Sequence, residues 1–179
     1  PPGTGKTHTI AHMLIGYVLA ARLQGQPIRV LVTAFTHLAI HNVLRKLVEL
    51  AGRYGLSVGD LQIGKLQRNA STEPDPDIPP GVLPIDTDGF TNTLENAIPC
   101  QIVGATVWAV HRAMKEAGDV VQPWFDVVLV DEASQMKLPD ALIAFASSKP
   151  TANFILAGDD RQLPPIIHGV YPEQHQPLL

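Results

Sequence analysis

Residues 1–7 read PPGTGKT, two glycines closing on Lys6 and Thr7. Gly3 and Gly5 carry no Cβ, so backbone N–H groups around Thr4 can turn inward on an anion. A helix starting at Lys6 would aim its positive N-terminal end at the same charge. Lys6 could then bridge the β- and γ-phosphates of a nucleotide, and the Thr7 hydroxyl suits Mg²⁺. The run fits G-x-x-x-x-G-K-[ST] from its second position onward. A Gly/Pro turn ahead of a helix is the plainer reading, and the Gly-Lys-Thr ending argues against it.

A second group lies 125 residues beyond Lys6, where 127–132 read VVLVDE. An apolar strand would deliver Asp131 and Glu132 at its C-terminal end, where ligands sit in open α/β sheets. Asp131 is placed to hold Mg²⁺, and Glu132 to orient and deprotonate a water. The same pair could simply cap a helix starting at Ala133. A third group follows a further apolar run: 155–165 read ILAGDDRQLPP. There Gln162 could sense a γ-phosphate or the attacking water, although a polar turn after a strand explains it as well.

These residues need elements to hold them. Residues 8–24 read as a mostly apolar helix, with Met13, Leu14, Tyr17, Val18 and Leu19 on or near one face. Residues 28–34, 100–105, 125–130 and 152–157 read as buried parallel strands. Residues 38–50, 107–116 and 139–147 read as helices, 61–66 as a short strand and 91–97 as a short helix. Strands alternating with helices predict a parallel α/β sheet. Ser71–Gly89 contains five prolines and several aspartates, and is read as a surface loop or insertion at about 70–90.

Composition narrows the partners. The 179 residues carry a net charge of −4, so bulk positive charge does not hold this chain on nucleic acid, and any such contact must be a local groove. A 45 % hydrophobic content and a mean hydropathy of +0.10 exclude wholesale disorder. Cys100 is the single cysteine, which excludes an intrachain disulfide and a cysteine zinc site. No apolar run is long enough for a transmembrane helix, and no signal peptide is visible. An intracellular setting, cytoplasmic or nuclear/nucleoid, is expected.

Together the segments resemble the first motor domain of a superfamily 1 helicase of the Upf-like, Senataxin-like group. PPGTGKT resembles motif I of that group, VDEASQ at 130–135 motif II, and GDDRQLPP at 158–165 motif III. VTAFTHLAIHNVL at 32–44 resembles motif Ia, and VGATVWAVHR at 103–112 the next strand-contacting motif. Phe35, His37 and His41 stand where Pro, Asn and Asp are usual, and Asp160 where His is common. The resemblance implies a RecA-like P-loop sheet with flanking helices, and ATP hydrolysis with Mg²⁺ coupled to movement on single-stranded DNA or RNA. It implies nucleotide binding by Gly3, Thr4, Gly5, Lys6, Thr7 and Gln135, and metal binding by Thr7 and Asp131. Catalytic roles fall to Lys6, Glu132 and Gln162, with Gln135 and Gln162 linking nucleotide state to motion. Strand contacts fall to Thr36 and Thr106, supported by Asn42. As helix N-caps, Thr36 and Thr106 also have a purely structural reading.

The chain opens inside motif I with no start Met, so it is read as part of a larger protein: residues 1–179 as a partial motor domain, motif I to motif III, lacking its first strand. A second RecA-like domain of the parent chain is expected as a partner. Taken alone, this piece is expected to be inactive and prone to aggregate. A P-loop NTPase or kinase not acting on nucleic acid, and a non-enzymatic nucleotide-binding scaffold, remain open. His8/His12 and His37/His41 each have helical i,i+4 spacing, but no third metal ligand is evident, so ordinary polar or phosphate-facing histidines are expected. Trp108 and Trp124 could stack on bases, but half-buried packing is the expectation.

Overall fold

The computed structural model describes residues 5–73, 75–95, 98–118 and 123–159. Six parallel strands form one sheet: β1 (Ile28–Ala34), β2 (Leu61–Gln67), β3 (Leu83–Asp86), β4 (Cys100–Gly104), β5 (Phe125–Asp131) and β6 (Ser148–Leu156), in the order β3-β2-β4-β1-β5-β6. Among the described residues five helices cover it: α1 (Lys6–Leu23), α2 (His37–Arg53), α3 (Phe90–Glu95), α4 (Val107–Glu116) and α5 (Leu138–Ala146). The chain is a parallel α/β fold, as the alternating pattern predicts, and of the RecA-like type that the resemblance implies.

Strands buried on both sides read as largely apolar runs, and β1, β4 and β5, rich in Val, Ile and Leu, lie in the middle of the sheet. On one face α1 and α2 lay Ile10, Leu14, Ile15, Val18, Ile40, Leu44 and Leu47 over Val30, Val32, Ile102 and Leu129. On the other face α3, α4 and α5 pack against Leu31, Val103, Val128 and Val130, where Phe90, Trp124 and Phe125 form an aromatic cluster.

Three expectations are corrected. Leu83–Asp86, inside the stretch read as a loop, is a strand paired with β2, and Val82 and Ile85 are buried. Its Pro84 has no N–H to donate, which fits the outermost position in the sheet. In α1 the buried face runs through Ile10, Ala11, Leu14, Ile15, Val18 and Ala21, and Met13 is exposed. Trp124 is fully packed rather than half-buried, and Trp108 is 63 % exposed.

The two edges differ. β3 is short, whereas β6 is nine residues long and leaves Phe154 48 % and Leu156 62 % exposed. Among the described residues no strand pairs with the outer side of β6. A long apolar edge invites pairing with another chain. Leu156→Lys is therefore expected to slow the growth of light scattering on mild heating, with little change in the urea midpoint. In contrast, Phe125→Ala, which removes a fully buried ring, is expected to cost about 3–5 kcal/mol by urea unfolding.

Candidate nucleotide site and its link to helix α2

The strand ends converge at one side of the sheet. β1 and β5 are neighbours in register, with Ala34 opposite Asp131, so the residues that follow each strand emerge side by side. α1 starts close by. Its N-cap, Gly5, has φ +77°, a left-handed conformation that strains any residue with a Cβ. Gly3, Thr4 and Gln162 lie outside the described residues.

Lys6 Nζ lies 2.8 Å from Asp131 Oδ1, and the Glu132 backbone N–H donates to the same oxygen at 2.8 Å. Asp131 is buried, and Lys6 is partly exposed at the helix start. Residues distant in sequence thus meet as an ion pair at the end of β5. Thr7 follows in the first turn of α1, partly buried.

Glu132 takes a left-handed backbone (φ +53°, ψ +37°), uncommon for a residue with a side chain. That twist turns the chain from β5 into a 3-10 turn, Ala133–Gln135, where the Gln135 N–H donates to the Glu132 carbonyl. The turn is fastened to the end of β6. Ala133 N–H donates to Ala157 O, and Ala157 N–H donates to Val130 O, both at 2.9 Å. A Cβ on Gly158 would stand 3.1 Å from Ser134 N, so glycine permits the close approach.

Thr36 joins the acidic pair to α2. Its Oγ1 donates to Glu132 Oε2 at 3.3 Å and accepts from the Ala39 N–H at 3.1 Å, which caps the helix. Lys6, Asp131, Glu132 and Thr36 therefore form one connected run of contacts. Thr106 caps α4 in the same manner, accepting from Ala109 N–H at 3.3 Å, and follows β4 at the same end of the sheet. Asn42 is exposed on α2 and accepts from Arg45.

The two histidine pairs part company. His12 Nδ1 donates to the His8 carbonyl at 2.8 Å, an ordinary helical contact. His37 and His41 instead face Asp75, which the sequence did not pair with them, together with Lys65 of β2. Lys65 is 1 % exposed, and burial lowers its pKa to about 8. Burial first, and then the Lys65 charge, holds both imidazoles below their ordinary value, which favours the neutral ring.

By its parallel sheet, its strand order and its flanking helices, the chain is a RecA-like α/β domain. Residues 86–169 match the family described as an AAA domain. The chain is 33 % identical over 175 residues to a DNA replication ATP-dependent helicase/nuclease DNA2 of Gallus gallus, covering 93 % of this chain and 15 % of that protein. It is 30 % identical over 166 residues to the Schizosaccharomyces pombe protein of the same description, covering 93 % of this chain and 10 % of that protein. It therefore spans a small part of the length of these relatives. A solved structure, a nuclease-deletion mutant of the Type ISP restriction-modification enzyme LlaGI in complex with a DNA substrate mimic, shares the fold. Its TM-score is 0.56 at 18 % identity, over 93 % of this chain and 16 % of that one. The fold match shows a RecA-like α/β fold, and over nearly its whole length the chain is similar to a part of these helicase/nucleases, with the AAA-domain match at residues 86–169. Among the described residues, no helix is long and apolar enough to cross a membrane.

Thr36→Val removes both the cap and the Glu132 contact. It is expected to cost about 1 kcal/mol in urea unfolding, as loss of an N-cap usually does, and Thr36→Ser is expected to restore most of it.

Proposed function

We propose that the protein carrying this chain binds ATP with Mg²⁺ and hydrolyses it to move along a DNA strand, and that this chain forms most of one motor domain. The observation that carries the reading is the run Lys6–Asp131–Glu132–Thr36, which connects a phosphate-binding lysine to the capped N-terminus of α2. A small-molecule kinase or an inert scaffold would share the lysine and the aspartate, but has no use for a helix start tied to the base.

In this reading Gly3, Thr4, Gly5 and Lys6 cradle the phosphates, and Lys6 leaves Asp131 to do so. The residues at hand fit Mg²⁺: Asp131 is a buried carboxylate that already holds a cationic group, and Thr7, next to Lys6 in the first turn of α1, supplies a hydroxyl. Mg²⁺, when bound with the nucleotide, neutralises phosphate charge and is held by Thr7 and Asp131. Glu132 orients a water and takes its proton as the water oxygen bonds to the γ-phosphorus. The bond from that phosphorus to the bridging oxygen breaks, leaving ADP and phosphate. Gln135 and Gln162 report the state of the γ-phosphate to the rest of the domain.

Strand binding falls to the N-termini of α2 and α4, where Thr36 and Thr106 expose backbone N–H groups suited to phosphate. Asn42 supports the α2 side. A phosphate bound at α2 competes for the Thr36 hydroxyl and frees Glu132, a direct route from strand occupancy to hydrolysis. DNA rather than RNA is favoured because the named relatives are DNA replication helicase/nucleases, which also suits a nuclear or nucleoid setting. A second RecA-like domain in the parent chain would supply arginines to the γ-phosphate. Such groups are worth ~10³–10⁵ in rate elsewhere, so residues 1–179 alone are expected to hydrolyse ATP negligibly.

In the full-length natural protein, Lys6→Ala is expected to abolish ATP binding. Glu132→Gln is expected to keep binding and lower DNA-stimulated turnover by ~10²–10⁴. Equilibrium binding of a fluorescent ATP analogue and phosphate release with and without single-stranded DNA measure both. Normal ATP binding by Lys6→Ala, or turnover indifferent to any nucleic acid, would overturn the reading.

A further inference from the structure

The cluster at the first turn of α2 shares no residue with the nucleotide site. His37 and His41 are one helical turn apart, and Asp75 reaches them from the β2–β3 connection. Asp75 Oδ2 lies 3.3 Å from His41 Nε2 and 4.0 Å from His37 Nδ1, and the three atoms all fall within 4.8 Å of one another. We propose that His37 Nδ1, His41 Nε2 and Asp75 Oδ2 form a binding site for a divalent transition-metal ion of the zinc class, which clamps the Pro-rich segment onto the start of α2.

Four observations carry this. His41 is 3 % exposed, and its Nε2 is buried without a hydrogen-bond partner among the described residues, since the approach to Asp75 lacks hydrogen-bond geometry. A buried ring nitrogen left in this way is costly unless something takes its lone pair. The carboxylate is also prepared for this role. Asp75 Oδ1 accepts from the Asp77 N–H at 3.0 Å, the Asp75 N–H donates to Gln67, and the Ile78 N–H donates to the Asp75 carbonyl. The local turn is thereby fixed, and Oδ2 is turned toward the histidines.

The spacing and the donor types agree as well. Tetrahedral zinc with bonds of about 2.0–2.1 Å needs donor atoms about 3.3–3.4 Å apart. The His41–Asp75 pair has that separation, and the His37 side chain, 63 % exposed, has room to close the rest. Two imidazoles and one carboxylate suit zinc and its neighbours in the first transition row, whereas Mg²⁺ and Ca²⁺ favour all-oxygen sets. The fourth position would take water.

Lys65 opposes the ion. Its Nζ lies 3.4 Å from His37 Nδ1, where its ammonium offsets the Asp75 charge in the metal-free chain. Bound metal requires that group to retract or lose its proton, so removing it strengthens the site.

The test uses the full-length natural protein, stripped of metal with a chelator, reloaded with Zn²⁺ and dialysed. Wild type is expected to retain one more equivalent of Zn²⁺ than His37→Ala or Asp75→Asn. Zn²⁺ is expected to slow proteolytic cleavage between 71 and 82 in wild type but in neither variant. Lys65→Met is expected to bind Zn²⁺ about tenfold more tightly in competition with a chromogenic chelator. His37 and Asp75 are not core residues, and matching circular dichroism of the metal-free forms controls for folding. Equal zinc content in wild type, His37→Ala and Asp75→Asn overturns the proposal, and so does cleavage indifferent to Zn²⁺. An intact ATP-binding site would leave either result unchanged.

Discussion

A buried carboxylate must be paired, and at the end of β5 the pairing is Asp131 with Lys6. Burial of an isolated charge is costly enough that the partner is effectively obligatory. The demand reaches through the whole fold. Asp131 is buried because β5 lies between β1 and β6 with helices on both faces. Lys6 can reach it because α1 packs on the same face as α2, with its glycine-opened start level with the strand ends. Loss of either packing contact would leave one charge unmatched.

The surroundings of Glu132 show a second constraint. A left-handed backbone there persists only where neighbours hold it. The hydrogen bonds from Ala133 to Ala157 and from Ala157 to Val130, with Gly158 pressed on Ser134, fix the turn from both sides. The three segments that the sequence singles out as chemical are thus, where described, also mechanical. The end of β6 is the brace for the acidic turn, quite apart from any role for its polar residues. Sequence spacing alone cannot show this, because 132–135 and 157–158 read as separate strand exits.

The sheet was legible where burial was two-sided. IRVLVTA and FDVVLV are mostly apolar runs with β-branched residues, interrupted only by Arg29, Thr33 and Asp126, and they are central strands. β3 was not legible. Four residues including Pro84, one of them an aspartate, carry no period, and their strand character comes from pairing with β2. In the candidate site, Lys6, Asp131, Glu132 and the capping role of Thr36 and Thr106 could be read from residue types at element ends. The hydrogen bond from Thr36 to Glu132 could not, since it follows from the alignment of β1 with β5. Asp75 was hidden for a related reason: it lies 34 residues beyond His41 in a stretch that read as solvent-exposed loop. Trp108 shows the converse, an aromatic whose apolar character suggested packing but whose position on α4 faces outward.

The first turn of α2 is where these constraints meet. Thr36 gives one hydroxyl to two tasks, accepting from the helix and donating to Glu132. One residue further on, His37 meets Lys65, and one turn on, His41 meets Asp75. The helix start is thereby fastened to β5 on one side and to the β2–β3 connection on the other. Below it, Gly104 lets α2 lie directly on β4, since a Cβ there would stand 2.6 Å from Leu44 Cδ1 and 2.8 Å from Ile40 Cγ2. A helix seated this closely cannot slide without repacking Leu44 and Ile40, so a force applied at its first turn acts on the Thr36–Glu132 contact rather than being absorbed by the core.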